Sequence, residues 1–249
     1  MYPAFKIALI FLSLSIMQAA IANCDEAPAR KVNWYGCDLS NKDLSGKDLR
    51  EAILSKANLS NANLSRANLA GADLGHATLI NTNFTDARLV KTRLVSSKLN
   101  NAIFVNTILT GARFDRAKMQ KVTMKSVIAD GARFYNADMS NATLIKGDFT
   151  NANFEQANLA NANLSESIFN SARFNDAIME DANLQKATFV KAKLENCLLT
   201  NANLSQADFT SASLVKSDLT NVNLDGTILS NTTWFNRKRC KPKSVGECL

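Results

Sequence analysis

From Leu39 to Trp234, forty positions spaced five residues apart hold Leu, Phe or Met, with only Ala129 and the final Trp234 departing from those three. No insertion shifts the frame. In an α-helix, five steps of about 100° would leave each leucine about 140° round from the last, so the apolar residues would spiral onto every side. In a straight strand the side chains alternate, and an odd spacing sends successive leucines to opposite faces. The chain must therefore bend once in every five residues.

Two residues before most large positions stands a small one, as at Ala52, Ala57, Ala62, Ala67 and Ala72, with Thr82, Ser97, Gly147 or Val222 in the same role elsewhere. The unit is small-x-large-x-x. If its first three residues are extended, the small and large side chains share one face and the middle one points away. The last two, often Asn, Asp, Gly or Ser, then turn the corner. A chain that turns the same way after every unit coils around its own leucines, giving a solenoid that is stable only by stacking and needs capped ends. Composition agrees, because 46% hydrophobic residues with only 9 Gly and 3 Pro provide core without punctuation for linkers. Ala129 is the weak rung: Leu to Ala at a buried site costs about 2–5 kcal/mol, so Val127 and Ile128 are expected to repack around it, or the coil to bend.

Stretches such as Ala57-Asn58-Leu59-Ser60-Asn61 and Ala202-Asn203-Leu204-Ser205-Gln206 resemble the pentapeptide-repeat family. The resemblance spans roughly residues 37 to 236 and implies an all-β fold, a right-handed quadrilateral β-helix with four pentapeptides per coil. At twenty residues per coil, about ten coils follow, and at the roughly 4.8 Å spacing of strands the rod is about 48 Å long.

Residues 1–22 read as a cleaved signal peptide: Lys6 supplies the positive charge, Ile7 to Met17 the apolar run, and Ala20-Ile21-Ala22 the small-x-small cleavage site. The expected organisation is then a cap over 23–38, the repeat over 39–236 and a basic cap over 237–249. The apolar run is shorter than the roughly 20 residues that span a bilayer, so no transmembrane segment is expected after cleavage. An exported protein, periplasmic or secreted, permits disulfides. Cys24 with Cys37 and Cys240 with Cys248 are the expected terminal staples. Cys197 falls on a small inward position and reads as a buried thiol.

A formal charge of +7 favours anionic partners. With residues twenty apart stacked, Arg93, Arg113, Arg133, Arg173 and Lys193 form one column, interrupted by Asn153, that is the candidate site for a protein or an anionic polymer. Asp115, Glu155, Asp176 and Glu195 lie beside it and offer the competing reading, a solvated ion-pair network. Lys98, Lys118 and Lys121 begin a second basic patch on the next face. Asn41, Asn61, Asn81, Asn101, Asn141, Asn161, Asn201 and Asn221 form an amide column expected to be structural. Arg237, Lys238, Arg239, Lys241 and Lys243 make the tail basic.

His76 is the only histidine, and no Gly-rich phosphate loop, nucleophile elbow or zinc-like cysteine pair occurs, so neither an enzyme nor a cofactor is expected. The leading expectation is a non-enzymatic binding or scaffold protein of the cell envelope or extracellular space. The family resemblance also implies an alternative, a DNA-mimicking topoisomerase inhibitor, but mimicry needs negative charge where this chain is basic. A secreted effector is a third reading. Nucleic acid is disfavoured as a partner, and the sequence specifies neither the partner's identity nor the oligomeric state.

Overall fold

A computed structural model describes residues 22–249, so the expected signal segment lies outside the described residues except for Ala22. The chain is a right-handed quadrilateral β-helix. Each middle residue of a pentapeptide forms a parallel bridge with the residue twenty further on, from Asn33–Ile53 to Ser213–Thr233. Four faces result: face 1 carries middle residues 33, 53, 73 and onward, face 2 carries 38, 58 and 78, face 3 carries 43, 63 and 83, and face 4 carries 48, 68 and 88.

One repeat shows how the backbone is satisfied. Leu59 N donates to Thr78 O of the following coil at 2.7 Å, and Asn58 N to Cys37 O of the preceding one at 2.9 Å. At the corner, Ala62 N donates back to Leu59 O at 3.0 Å and Asn61 N reaches up to Ile80 O at 2.9 Å. Asn61 has φ of 59°, and every fifth residue from Lys31 to Asn231 is likewise left-handed, as the third residue of a type II turn must be. Asparagine tolerates this conformation at little cost, which explains the amide column. That leaves the N–H of the first corner residue. Ser60 N donates to the Asn58 side-chain oxygen at 3.1 Å, and the pattern recurs at Ser65, Thr150 and Thr210. The middle position is thus rich in Asn and Asp because its side chain satisfies the one corner donor that the stack does not.

The ladder residues fill the axis, and from Leu49 to Leu214 all of them are fully buried. Phenylalanines stack in register: Phe114, Phe134, Phe154 and Phe174 on face 1, and Phe149, Phe169, Phe189 and Phe209 on face 4. The two columns meet edge to face. Hydroxyls at inward positions are also satisfied, since Thr82, Thr92, Thr107, Thr227 and Thr232 each donate to the carbonyl of a ladder residue twenty-three earlier.

The expectation for Ala129 is half corrected. Bridges run unbroken through Ile108, Ile128 and Asp148, so the coil has no kink there. Val127 is buried and supplies volume beside the small residue, whereas Ile128 is 50% exposed on face 4 and contributes no repacking.

At the N-terminal end, repeat geometry already holds at Val32 and Trp34, and both are buried. Cys24 and Cys37 lie at disulfide-bonding distance, as do Cys240 and Cys248. After Trp234 the tail reverses and pairs antiparallel across faces 1 and 4, through Thr233–Arg239 and Ile228–Val245.

Candidate functional site

The five candidate cations stand one above another as middle residues of face 1, linked by the bridges Arg93–Arg113–Arg133–Asn153–Arg173–Lys193. All five point outward and are exposed. Four of them are ion-paired, with three carboxylates among them. Arg93 Nη1 lies 3.1 Å from Asp73 Oδ2, and Arg173 Nη2 lies 2.6 Å from Glu155 Oε1. Arg113 and Arg133 share Asp115: Arg113 Nε donates to Oδ2 at 3.2 Å, and Arg133 Nη2 lies 2.9 Å from Oδ1, an ion contact outside hydrogen-bond angles. The Asp115 side chain is only 7% exposed, so it is shielded from water by the pairs it joins. The arginines are half exposed, and such pairs contribute about 0–1 kcal/mol each. Among the described residues Lys193 has no ion pair. Where Asn153 interrupts the column, a shallow cleft of about 450 Å³ opens, lined by Arg133, Tyr135, Asn153, Glu155 and Arg173.

Face 2 is different. Lys98 and Lys118 bridge to each other directly, and Arg116 and Lys121 occupy the left-handed corners on either side. All four are exposed, and none has an ion pair among the described residues. The nearest carboxylate in the Lys118 column, Asp138, already accepts from Gln120, Asn158 and Ser140 N. Stacked like charges without a counter-charge are destabilising. The structure therefore brings together the face 1 column as a largely compensated network and leaves face 2 with an excess of positive charge, offset in part by Asp138 beside Lys118.

The remaining chemistry is inert. His76 is an exposed corner residue with φ of 58°. No group of three or more His, Cys, Asp or Glu suited to a metal ion occurs among the described residues. Cys197 is fully buried, and its Sγ donates to Phe174 O at 2.9 Å, as the inward threonines do. Burial pushes its thiol up to about 12, so almost no thiolate exists at neutral pH. Native protein is expected to leave Cys197 unmodified by iodoacetamide at pH 8 for hours, with alkylation only after denaturation. Rapid modification of the native protein, read by mass spectrometry, would contradict the buried placement.

A rod with an apolar axis and chemistry confined to ordered surface ladders is a scaffold-type solenoid. The chain belongs to the pentapeptide repeat family: models for pentapeptide repeats match residues 33–69, 62–101, 87–125 and 124–156, and one for a pentapeptide repeat region matches 147–229. Among solved structures it is similar to HetL, a pentapeptide repeat protein involved in heterocyst differentiation regulation from the cyanobacterium Nostoc sp. strain PCC 7120. The two are 26% identical with a TM-score of 0.51, over 84% of this chain and 92% of that one. QnrB1, a plasmid-mediated fluoroquinolone resistance protein, is 19% identical with a TM-score of 0.36, over 79% and 88%. A pentapeptide repeat protein from the Arabidopsis thaliana thylakoid lumen is 21% identical with a TM-score of 0.20, over 70% and 66%. No sequence among curated proteins is significantly similar to the chain.

Proposed function

We infer that this protein is a non-enzymatic binding scaffold that works outside the reducing cytoplasm and holds an anionic partner, a protein or a polymer, against face 2. The observation that carries this reading is the contrast between the two basic faces. The face 1 arginines Arg93, Arg113, Arg133 and Arg173 are each ion-paired, Arg113 and Arg133 through the one carboxylate of Asp115, while Lys98 and Lys118, flanked by Arg116 and Lys121, have no ion pair among the described residues. A folded protein gains nothing internally from that arrangement, and a row of cations at strand spacing matches a regularly charged partner. The face 1 column, ending in Lys193, forms the adjoining shoulder of the same surface. Two cysteine pairs at bonding distance, together with the N-terminal export signal read from the sequence, support an oxidising compartment.

Capture from the envelope extract of the source cell, using mature oxidised protein at low and high salt, tests the reading. The expected result is a partner lost at high salt, with binding weakened at least tenfold by Lys98→Glu/Lys118→Glu and less by Arg113→Glu/Arg133→Glu. Binding that neither salt nor the face 2 variant changes would sink the proposal.

A further inference from the structure

The last coil is capped on only two of its four sides. Throughout the rod, the N–H groups of the ladder residue and of the left-handed corner residue donate to the coil that follows. On faces 4 and 1 of the last coil the reversed tail takes over that role for the ladder residues, though not for the corner N–H of Asn231: Leu229 N donates to Ser244 O and Trp234 N to Lys238 O, while Gly246 N and Cys240 N donate to Thr227 O and Thr232 O. On faces 2 and 3 nothing does. Among the described residues the N–H groups of Leu219, Asn221, Leu224 and Gly226 have no partner, nor do the carbonyls of Ser217 and Val222.

We propose that this open half-edge, residues 217–226, binds an acidic segment of about ten residues from a partner protein by strand addition, extended along each face with one turn at the corner between them. Three observations specify that occupant. The free donors and acceptors repeat the pattern each coil presents to the next across the left-handed corner at Asn221, so a backbone that turns once there satisfies them, as the tail does with its own turn on the other two sides. Leu219, Val222 and Leu224 are only partly buried, and a recess of about 390 Å³ beside them is lined by Ser217, Asp218, Leu219, Thr220 and Phe235. The same end of the rod is cationic: Lys216 beside the edge, and Arg237, Lys238, Arg239, Lys241 and Lys243 on the tail over faces 1 and 4, outnumber Asp218 and Asp225 on the edge itself and Glu247.

The opposite end of the rod shows what a blocked edge looks like. There Lys42 and Lys47 occupy the inward small positions of the first coil and are exposed, placing charges where a further coil would stack. Head-to-tail stacking of two copies would have to bury them. The open half-edge carries Ser217 and Val222 at the same register and has no such obstruction.

The probe is a blocked decapeptide of two Ala-Glu-Leu-Glu-Gly units, with a counterpart that carries lysine in place of glutamate and a version N-methylated at the glutamate before each leucine. Hydrogen exchange and fluorescence polarisation are read on the mature oxidised protein. The expected result is protection of the amides at 219, 221, 224 and 226, with affinity at least tenfold lower for the lysine peptide, for the N-methylated peptide and for Leu219→Glu. Lys98→Glu/Lys118→Glu should leave this binding unchanged, which separates it from the face 2 site. A footprint at Lys98 and Lys118 instead, no protection at 217–226, equal binding of the N-methylated peptide, or self-association that protects these amides without peptide would each overturn the proposal.

Discussion

Phe154→Ala is expected to lower stability by about 3–5 kcal/mol, the range for truncating a large buried aromatic. Phe154 is fully buried at the centre of the aromatic double column. Its ring stacks on Phe134 at 4.7 Å and on Phe174 at 4.8 Å, and meets Phe149 and Phe169 edge to face at 5.7 and 5.8 Å. The substitution removes four ring contacts and leaves a cavity that hydrogen-bonded coils cannot close, because their spacing is fixed by the ladders. Stability in a solenoid is a sum of nearest-neighbour terms, so the damage should centre on the coils around residues 134–174. Guanidinium unfolding would show a lower midpoint, and hydrogen exchange would show the loss greatest in that stretch. A change under 1 kcal/mol would mean that the columns are not packed as described.

Gly147→Ala, one methyl group in size, is expected to cost about 1–3 kcal/mol through overpacking. A Cβ at residue 147 would lie 2.6 Å from Phe149 Cε2 and 3.1 Å from Val127 Cγ2. This corner is irregular for a reason: Ser167 Oγ accepts from Gly147 N at 2.9 Å and itself donates to Leu144 O. The Phe149 ring occupies the space that an alanine methyl fills in most other repeats. Phe149→Leu should therefore partly rescue Gly147→Ala, and the double variant should be more stable than the sum of the single effects. Strict additivity in thermal or denaturant unfolding would show that the ring is not what excludes the methyl group.

The coil was legible in the sequence because its cause is periodic. The ladder from Leu39 to Trp234 declares the bend, and the asparagines at 61, 81, 101, 201 and 221 declare the left-handed corner, where Asn81 donates to Asn61 at 2.9 Å and Asn221 to Asn201 at 3.2 Å. The second role of the middle Asn and Asp residues was visible as a preference, at Asn58, Asn63 and Asp148, but only the turn geometry shows that the side chain takes the corner N–H. The ion pairs of face 1 were harder to read. Arg133 pairs with Asp115 and Arg173 with Glu155, eighteen residues away and therefore diagonal to the columns. The sequence offered Asp115 and Glu155 as neighbours of the column, and the stacking rule of twenty aligns Arg93 with Asp73, but the sharing of Asp115 between Arg113 and Arg133 needs the side-chain geometry. The tail carries no period, so its reversal over faces 4 and 1, and the half-edge it leaves open, were not readable before the backbone was placed.

The stacking of residues twenty apart underlies every face, ion pair and edge described above, and a distance along one column tests it most directly. His76 and Asp176 are left-handed corner residues on the same column, five coils apart. Both can be changed to cysteine and spin-labelled, since the buried Cys197 is protected and the terminal cysteines are paired. Pulsed electron resonance on the oxidised protein should give a single narrow distribution centred near about 24 Å, five times the strand spacing. A broad distribution, or one centred well beyond about 35 Å, would contradict the stacked register and every surface built on it.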